Sequence, residues 1–322
     1  MRQKLEKTIE KIFAHSKGIL AADESTPTIE KRLKSVGRES TAETRHSYRH
    51  NLFSTEGLNK YIGGVILFEE TLENTDTIAP LKDQDIVLGI KVDKGTSPYD
   101  WKGGKITEGL DGLGKRLSHY KSLGAEFAKW RAVISVGDSF ACVTENARSL
   151  ARYAHECQRQ GIVPIVEPEV LMDGSHSIYA AFEATEQAIH CLFDALYHNS
   201  VDISRIILKP NMVMAGYQVP APSITEDVAL ATLSCFKNCV PAAVPAIAFL
   251  SGGQLGRIAI ANLKTMNEEE YLPWTLSFSF GRAMQSGALK RWGSEQPEEA
   301  RTWTFNRAME CSNATCGNKF LE

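Results

Sequence analysis

The sequence predicts an α/β fold, a single (β/α)8 barrel with an extra N-terminal helix, on three observations. About eight short apolar runs rich in β-branched residues recur along the 322 residues, and most are separated by longer segments with helical spacing. Near-continuous apolar strands that alternate with helices are typical of a parallel sheet buried on both faces. An open doubly wound sheet is the weaker alternative, because no Gly-x-Gly-x-x-Gly follows the first strand.

A helix opens the predicted element order. In residues 1–13 the apolar side chains of Leu5, Ile9, Ile12 and Phe13 recur at helical spacing, which predicts an amphipathic surface helix. Eight predicted strands follow, namely GILAAD (18–23), YIGGVILFEE (61–70), IVLGIKVD (86–93), FAKWRAVI (127–134), IVPIVEPEV (162–170), RIILKPN (205–211), PAIAFLSG (245–252) and LSFSFGRA (276–283).

Helical patterns fill most of the gaps between these strands. Segment 145–161 has an apolar stripe and a glycine stop, and segment 184–199 has a second stripe. Segment 109–115, GLDGLGK, fits Gly-x-x-x-x-Gly-Lys but continues with Arg116 where a phosphate-binding P-loop has Ser or Thr. The stretch before it, 100–109, is not strand-like, so we interpret GLDGLGK as a loop entering a helix.

Composition excludes several classes of protein. The net charge of −3 gives no electrostatic footprint for nucleic acid or for an anionic membrane surface. The longest apolar run, 240–250, contains two prolines and is shorter than the ~20 residues that cross a bilayer. Seven scattered cysteines favour reduced thiols and a cytoplasmic location. Because no linker or repeat divides the chain, we expect one barrel domain over 1–322, with a short C-terminal tail from about residue 293.

Polar residues end most of the predicted strands. In a (β/α)8 barrel these ends meet at one mouth, where active sites lie. Any one of these residues could simply form a salt bridge at the rim, but Lys209 follows three apolar residues and Lys129 lies within an apolar strand, where an unpaired ammonium is costly. The strand-end residues are Asp23, Lys91, Lys129, Glu167, Glu169, Lys209, Ser251 and Arg282.

These residue types suit the chemistry of a lysine imine on a phosphorylated carbonyl compound. Burial disfavours the charged form of a lysine, and the neutral amine attacks carbonyl carbon. Glu167 and Glu169 lie two apart on a strand, so both can point to the mouth and move protons, while Pro168 predicts an irregular strand end. Glycines at 252, 253 and 281 let backbone N–H groups approach a phosphate closely.

Metal catalysis has little support in the sequence. His46 and His50 are four residues apart in HSYRH, but no Glu follows the first histidine, and the segment is typical of a solvated helix. The Cys235/Cys239 and Cys311/Cys316 pairs lack the histidines that would complete a zinc site. We therefore expect no metal and no cofactor.

Taken together, seven motifs resemble the class I fructose-1,6-bisphosphate aldolases, in that family's order from about Gly18 to Trp292. They are GILAADEST, GIKVDKG, FAKWRAVI, GIVPIVEPEVL, ILKPNMV, FLSGGQ and FSFGRA. The resemblance implies a single (β/α)8 TIM barrel, a homotetramer, and metal-free cleavage of fructose 1,6-bisphosphate. The products would be dihydroxyacetone phosphate and glyceraldehyde 3-phosphate, in a reversible reaction of glycolysis and gluconeogenesis.

The resemblance also implies a role for each motif residue. Lys209 is similar to the Schiff-base lysine, and Glu167 to the acid/base that forms and dehydrates the carbinolamine. Lys129 resembles the lysine that favours the neutral form of the nucleophile. Asp23 resembles the aspartate that orients the C4 hydroxyl of the substrate. Glu169 resembles a member of the same network of charges. The ketone-side phosphate would be held by Ser251, Gly252, Gly253, Ser279, Gly281 and Arg282. The other phosphate would be held by Ser25, Thr28, Lys91 and Arg131, with Arg32 nearby.

The chain departs from the family pattern at two places. Pro27 and Thr28 stand where the family has Gly and Ser, and the stiffer proline affects the second phosphate site. The family tail ends in a tyrosine that assists proton transfer, whereas this chain ends CGNKFLE with Phe320, which predicts that Glu167 protonates the enamine. Two alternatives stay open: an aldolase for another sugar bisphosphate such as tagatose 1,6-bisphosphate, and a non-enzymatic scaffold on the same barrel.

Overall fold

The computed structural model describes residues 2–101, 103–269 and 271–316. Its strands are β1 Gly18–Ala22, β2 Ile62–Leu67, β3 Val87–Lys91, β4 Thr96–Pro98, β5 Lys105–Thr107, β6 Phe127–Ile134, β7 Val163–Val170, β8 Ile207–Leu208, β9 Ala246–Phe249 and β10 Thr275–Phe280. Its α-helices are α1 Arg2–Phe13, α2 Thr26–Lys34, α3 Ala42–Phe53, α4 Glu69–Glu73, α5 Thr75–Asp83, α6 Leu113–Ser122, α7 Phe140–Gln160, α8 Ile178–His198, α9 Thr225–Cys239, α10 Gly256–Asn267, α11 Arg282–Gly293 and α12 Pro297–Asn313.

Eight parallel strands close into a barrel. The order is β1-β2-β3-β6-β7-β8-β9-β10, and β10 pairs with β1 to complete the circle. Seven of the eight predicted runs contain one of these strands and the eighth overlaps β10, which begins one residue earlier, so the predicted (β/α)8 fold is confirmed. The strands β4 and β5 form a separate antiparallel hairpin after β3. The interpretation of segment 100–109 as free of strand was therefore wrong, because β5 pairs across this hairpin rather than with the barrel.

The helix α1 closes the N-terminal end of the barrel. Its apolar face, with Leu5, Ile9 and Ile12, packs in one cluster with side chains of seven barrel strands. Gly63 at the start of β2 has to lack a side chain, since a Cβ there would lie 2.0 Å from the carbonyl oxygen of Ile12. The predicted amphipathic helix is confirmed, and its position leaves the carboxyl ends of the strands as the open end.

A phenylalanine ring fills the interior just above this floor. Phe127 at the start of β6 is fully buried, and its ring occupies the space that side chains at two neighbouring glycines would need. A Cβ at Gly89 would come within 2.1 Å of that ring, and one at Gly64 within 3.1 Å. The glycines of β2 and β3 therefore let one large aromatic side chain pack across the barrel axis.

The long helices follow the predicted segments. Helix α7 ends at Gly161, whose φ of 70° is the left-handed value that favours glycine at a helix end. Helix α3 carries the HSYRH segment, but Tyr48 and Arg49 on it are each 2% exposed. The prediction of a solvated helix was wrong for this face, because Tyr48 and Arg49 pack toward the barrel mouth.

At Pro168, strand β7 is paired with the neighbouring strand on one side only. It pairs with β6 along its whole length, with Pro168 opposite Ala132, so the predicted irregularity is absent on that side. On the other side the ladder with β8 covers only Ile165 and Val166. The missing N–H of the proline therefore removes no hydrogen bond from the β8 ladder.

Helix α12 occupies the region of the predicted tail. It packs on α11, and the hydroxyls of Ser312 in its last turn and of Thr315 just beyond it donate to the carbonyl of Ser16 between α1 and β1. Residues 317–322, including Phe320, lie outside the described residues, so the expectation about the end of the chain stays a prediction. In the described part of the chain no helix is both long and apolar enough to span a bilayer.

Candidate active site

A glutamate and two lysines meet at the centre of the barrel mouth. The Glu167 carboxylate on β7 lies between two ammonium groups, with Oε1 3.3 Å from Lys209 Nζ and Oε2 3.3 Å from Lys129 Nζ. All three residues are 4% exposed. The adjacent positions of β6, β7 and the end of β8 bring them together, and the backbone N–H of Lys209 donates to the carbonyl of Val166.

The two lysines differ in how many carboxylates surround them. Lys129 Nζ lies 2.8 Å from Asp23 Oδ2 and 3.9 Å from Asp93 Oδ2, besides its contact with Glu167. Burial lowers the pKa of Lys129, but these three carboxylates outweigh burial and hold its pKa well above the usual value. Lys129 is therefore a permanent cation. Among the described residues, Lys209 has an ion pair with Glu167 alone.

Asp23 is the matching permanent anion at the end of β1. Burial by itself would raise its pKa, but the ammonium groups of Lys129 and Lys209 outweigh that effect and hold the pKa well below its usual range. A carboxylate this weakly basic accepts hydrogen bonds and orients its neighbours, but it is a poor acceptor for a full proton transfer.

Two further ion pairs extend along the mouth. Arg131 Nε on β6 donates to Glu169 on β7, and the guanidinium side chain stays 41% exposed. Lys91 at the end of β3 contacts Asp93 Oδ1 at 2.5 Å. Glu169 thus lies in the same row of charges as expected, but its contact is with Arg131 rather than with the two lysines.

A glycine-lined cradle follows β9 and β10. Gly252 and Gly253 have φ values of 53° and 96°, which only glycine adopts easily. Gly281 caps α11, so the free N–H groups of that helix start beside Arg282. Two serines complete the group: Ser251 is 6% exposed, and the buried hydroxyl of Ser279 has no hydrogen-bond partner among the described residues. This cradle has the donors and helix N-terminus that bind phosphate in barrels.

The residues predicted for the other phosphate lie on three elements: Ser25, Thr28 and Arg32 at or on α2, Lys91 on β3 and Arg131 on β6. Ser25 is the residue before the helix, and its hydroxyl lies 3.1 Å from that of Thr28. Pro27 occupies the first turn, where the missing N–H costs no helical hydrogen bond, so the proline fits this helix start. Arg32 points back to Glu24 and forms an ion pair with it.

No group of three or more histidine, cysteine or acidic side chains in the described part of the chain is arranged to hold a metal ion. The seven cysteines all lie in that part and are free thiols.

Comparison with known proteins identifies the family. The sequence model of fructose-bisphosphate aldolase class-I matches residues 4–321. The chain belongs to the class I fructose-bisphosphate aldolase family. It is 46% identical to a probable fructose-bisphosphate aldolase class 1 of Xylella fastidiosa, with 98% of each chain covered. It is 45% identical to fructose-bisphosphate aldolase C-B of Danio rerio, with 99% of this chain and 92% of the relative covered.

A solved aldolase also shares the fold. The fructose-bisphosphate aldolase of Plasmodium falciparum, solved in complex with TRAP and a small-molecule inhibitor, superposes with a TM-score of 0.94 at 43% identity. The alignment covers 97% of this chain and 94% of that one. The predicted family is therefore confirmed over nearly the whole aldolase chain.

Sequence reasoning missed several residues of this aldolase site. Asp93 contacts both Lys91 and Lys129, and the only signal for it was an acidic residue directly after the strand in IKVD. The buried amide of Gln285 on α11 donates to Glu24 Oε1 at 2.9 Å and to the carbonyl of Ala21 at 2.6 Å. No local pattern marks Gln285, because its partners lie 237 to 264 residues away in the sequence.

Proposed function

We propose that this aldolase cleaves fructose 1,6-bisphosphate reversibly to dihydroxyacetone phosphate and glyceraldehyde 3-phosphate through an imine on Lys209. The observation that carries the proposal is the position of Glu167, 3.3 Å from Lys209 Nζ on one side and 3.3 Å from Lys129 Nζ on the other. Membership of the family and the names of the relatives support the reaction and the substrate.

The unequal surroundings of the lysines support Lys209 as the nucleophile. Lys129 is held as a cation by its carboxylates, so it does not supply a free amine. Lys91 contacts Asp93, whereas Lys209 contacts Glu167, the candidate acid/base. The carboxylate of Glu167, 3.3 Å from Lys209 Nζ, can take a proton from that lysine and so free its amine for attack. The neutral amine attacks C2 of the open-chain ketose, and the resulting carbinolamine keeps the former carbonyl oxygen as a hydroxyl.

Glu167 can move the protons of each step. Its acid form protonates the leaving hydroxyl, so that water departs and a protonated imine forms. Its carboxylate then accepts the proton of the C4 hydroxyl while the electrons of the C3–C4 bond pass into the imine, which releases the aldehyde and leaves an enamine. The same proton returns to C3, and water hydrolyses the imine to release the ketone and regenerate the amine.

The remaining residues would hold the substrate. Asp23, a weak base, accepts a hydrogen bond from the C4 hydroxyl and orients it. The cradle after β9 and β10 takes the ketone-side phosphate, with Arg282 as its cation. The phosphate of the aldehyde half binds at Ser25 and Thr28, where Lys91 and Arg131 supply positive charge and Arg32 joins if its pair with Glu24 opens.

The test is covalent trapping in excess EDTA. Borohydride with dihydroxyacetone phosphate should reduce the imine and add the ligand mass to the peptide that contains Lys209. Lys209→Met should lose trapping and cleavage, and Lys91→Met, the matched control, should still be trapped. A label on the Lys129 or Lys91 peptide would contradict the assignment. Turnover of tagatose 1,6-bisphosphate, measured beside that of the fructose epimer, tests the alternative substrate.

We also propose that the chain acts as one catalytic domain over 1–322 in a cytoplasmic homotetramer. The family supports the tetramer, and seven free thiols support a reducing compartment. Native mass spectrometry at assay concentration should give four times the chain mass. A monomer that cleaves substrate at full rate would contradict the tetramer.

A further inference from the structure

A tyrosine from the segment between β8 and α9 reaches the phosphate cradle. Tyr217 is 46% exposed, and its hydroxyl donates to the carbonyl oxygen of Gly252 at 2.9 Å. A Cβ built on Gly253 would lie 3.5 Å from the Tyr217 hydroxyl oxygen and 3.2 Å from Arg282 Nη2. The phenol and the guanidinium therefore flank the same glycine.

The backbone around Tyr217 is held firmly. The N–H groups of residues 216, 217 and 218 donate to the carbonyls of His176, Met172 and Gly174, each at 2.9 Å. A Cβ at Gly216 would lie 2.3 Å from the Gly174 carbonyl oxygen, so the two segments are in direct contact. Three consecutive hydrogen bonds tie the tyrosine to the segment after β7, and the phenol reaches Gly252 from a fixed position.

The hydrogen bond to Gly252 sets the direction of a neighbouring N–H group. No peptide bond between described residues is cis, and a trans peptide points its C=O and N–H to opposite sides. With the Gly252 carbonyl held by the phenol, the Gly253 N–H points away from Tyr217, and the described residues offer it no acceptor. Two successive glycines have little conformational preference of their own, so an outside contact is needed to fix this peptide.

We propose that Tyr217 is a positioning residue of the ketone-side phosphate cradle, whose hydroxyl holds the Gly252–Gly253 peptide with the Gly253 N–H ready to bind phosphate. The inference rests on the proposed function for the identity of the ligand. Burial raises the pKa of Tyr217 to about 12, so the hydroxyl keeps its proton and remains a donor throughout the neutral range. Tyr217 contacts the cradle and not the reacting carbons, so its loss affects binding rather than the chemical steps.

The test compares the two triose phosphates by equilibrium binding to the full chain. Tyr217→Phe should raise the Kd of dihydroxyacetone phosphate about 5- to 10-fold, the effect of about one hydrogen bond, and leave that of glyceraldehyde 3-phosphate within about twofold. The KM for the bisphosphate should rise by a similar factor with kcat nearly unchanged. The exposed Tyr197→Phe is the matched control and should change neither Kd.

A double-mutant cycle with Arg282→Ala supplies a second measurement. If Tyr217 acts through the cradle, Tyr217→Phe should weaken binding less in the Arg282→Ala background than in the wild type. An unchanged Kd for dihydroxyacetone phosphate, or equal weakening of both trioses, would overturn the inference. A wild-type chain that binds dihydroxyacetone phosphate but cleaves no bisphosphate would refute the proposed function alone, since the binding comparison stands by itself.

Discussion

Asp23 keeps its negative charge because ammonium groups surround it, and this links the charge to folding stability. A carboxyl whose pKa is lower in the folded than in the unfolded chain stabilises the fold above its unfolded pKa, about 3.9, and that contribution is lost as the pH falls toward the folded value. We expect the free energy of unfolding of the wild type to drop more steeply between about pH 4 and pH 2 than that of Asp23→Asn.

Urea unfolding at a series of pH values measures this slope. Asp85→Asn is the control, because Asp85 lies at the surface, where its pair with Lys11 contributes little. The expectation fails if Asp23→Asn keeps the acid slope of the wild type.

Two neighbouring glutamates offer a matched pair for the acid/base assignment. Glu167 contacts two lysines. Glu169, two residues further along the same strand, contacts Arg131 instead. Glu167→Gln should lower kcat about 10²- to 10⁴-fold, the usual range for general acid–base catalysis, with little change in phosphate affinity. Glu169→Gln should act mainly on KM. A Glu167→Gln variant with raised KM and normal kcat would indicate a binding role only.

At the level of single residues, sequence patterns predicted several of the side chains that meet in the candidate site. Charged residues within apolar strand runs indicated Lys129, Glu167 and Lys209, because burying a charge is costly unless the residue has a partner or a function. The same patterns did not reveal Asp93 or Gln285, whose contacts with Lys129 and with Glu24 join segments that are far apart in the chain. Nor did they show that Arg32 pairs with Glu24, since that depends on the direction of a side chain in the last turn of α2.

At the scale of single elements, the fit between α1 and β2 depends on one missing side chain. A Cβ at Gly63 would overlap the backbone of Ile12, whereas one at Gly64 would press on the movable ring of Phe127 at 3.1 Å. Gly63→Ala should destabilise the fold by about 3 kcal/mol or more, because a backbone clash displaces the whole helix. Gly64→Ala should cost less.

Denaturant unfolding of the two variants, with the wild type beside them, gives both values. Equal destabilisation would show that α1 moves aside freely.

The strands and the long helices were predictable because their apolar periods are unambiguous. The β4–β5 hairpin was not, because its strands have three residues each and lie outside the barrel.

On the scale of the whole molecule, the mouth divides into two sectors. The β9 and β10 ends carry the cradle, and the β1, β3 and β6 ends carry the residues proposed to bind the other phosphate. Arg282→Ala should therefore weaken the binding of dihydroxyacetone phosphate more than the binding of glyceraldehyde 3-phosphate. Arg131→Ala should have the opposite effect on the two affinities. Isothermal titration with each triose measures both, and equal losses in either variant would contradict the division.

Because α1 closes one end of the barrel and side chains fill its interior, substrate and products reach the site from the carboxyl ends of the strands. A bisphosphate held at both proposed phosphate sites would lie across this open end, above Lys209 and Glu167. Departure of the aldehyde half would then uncover one side of the site before the imine is hydrolysed. The shape of the open end would therefore favour entry of water after cleavage rather than before it.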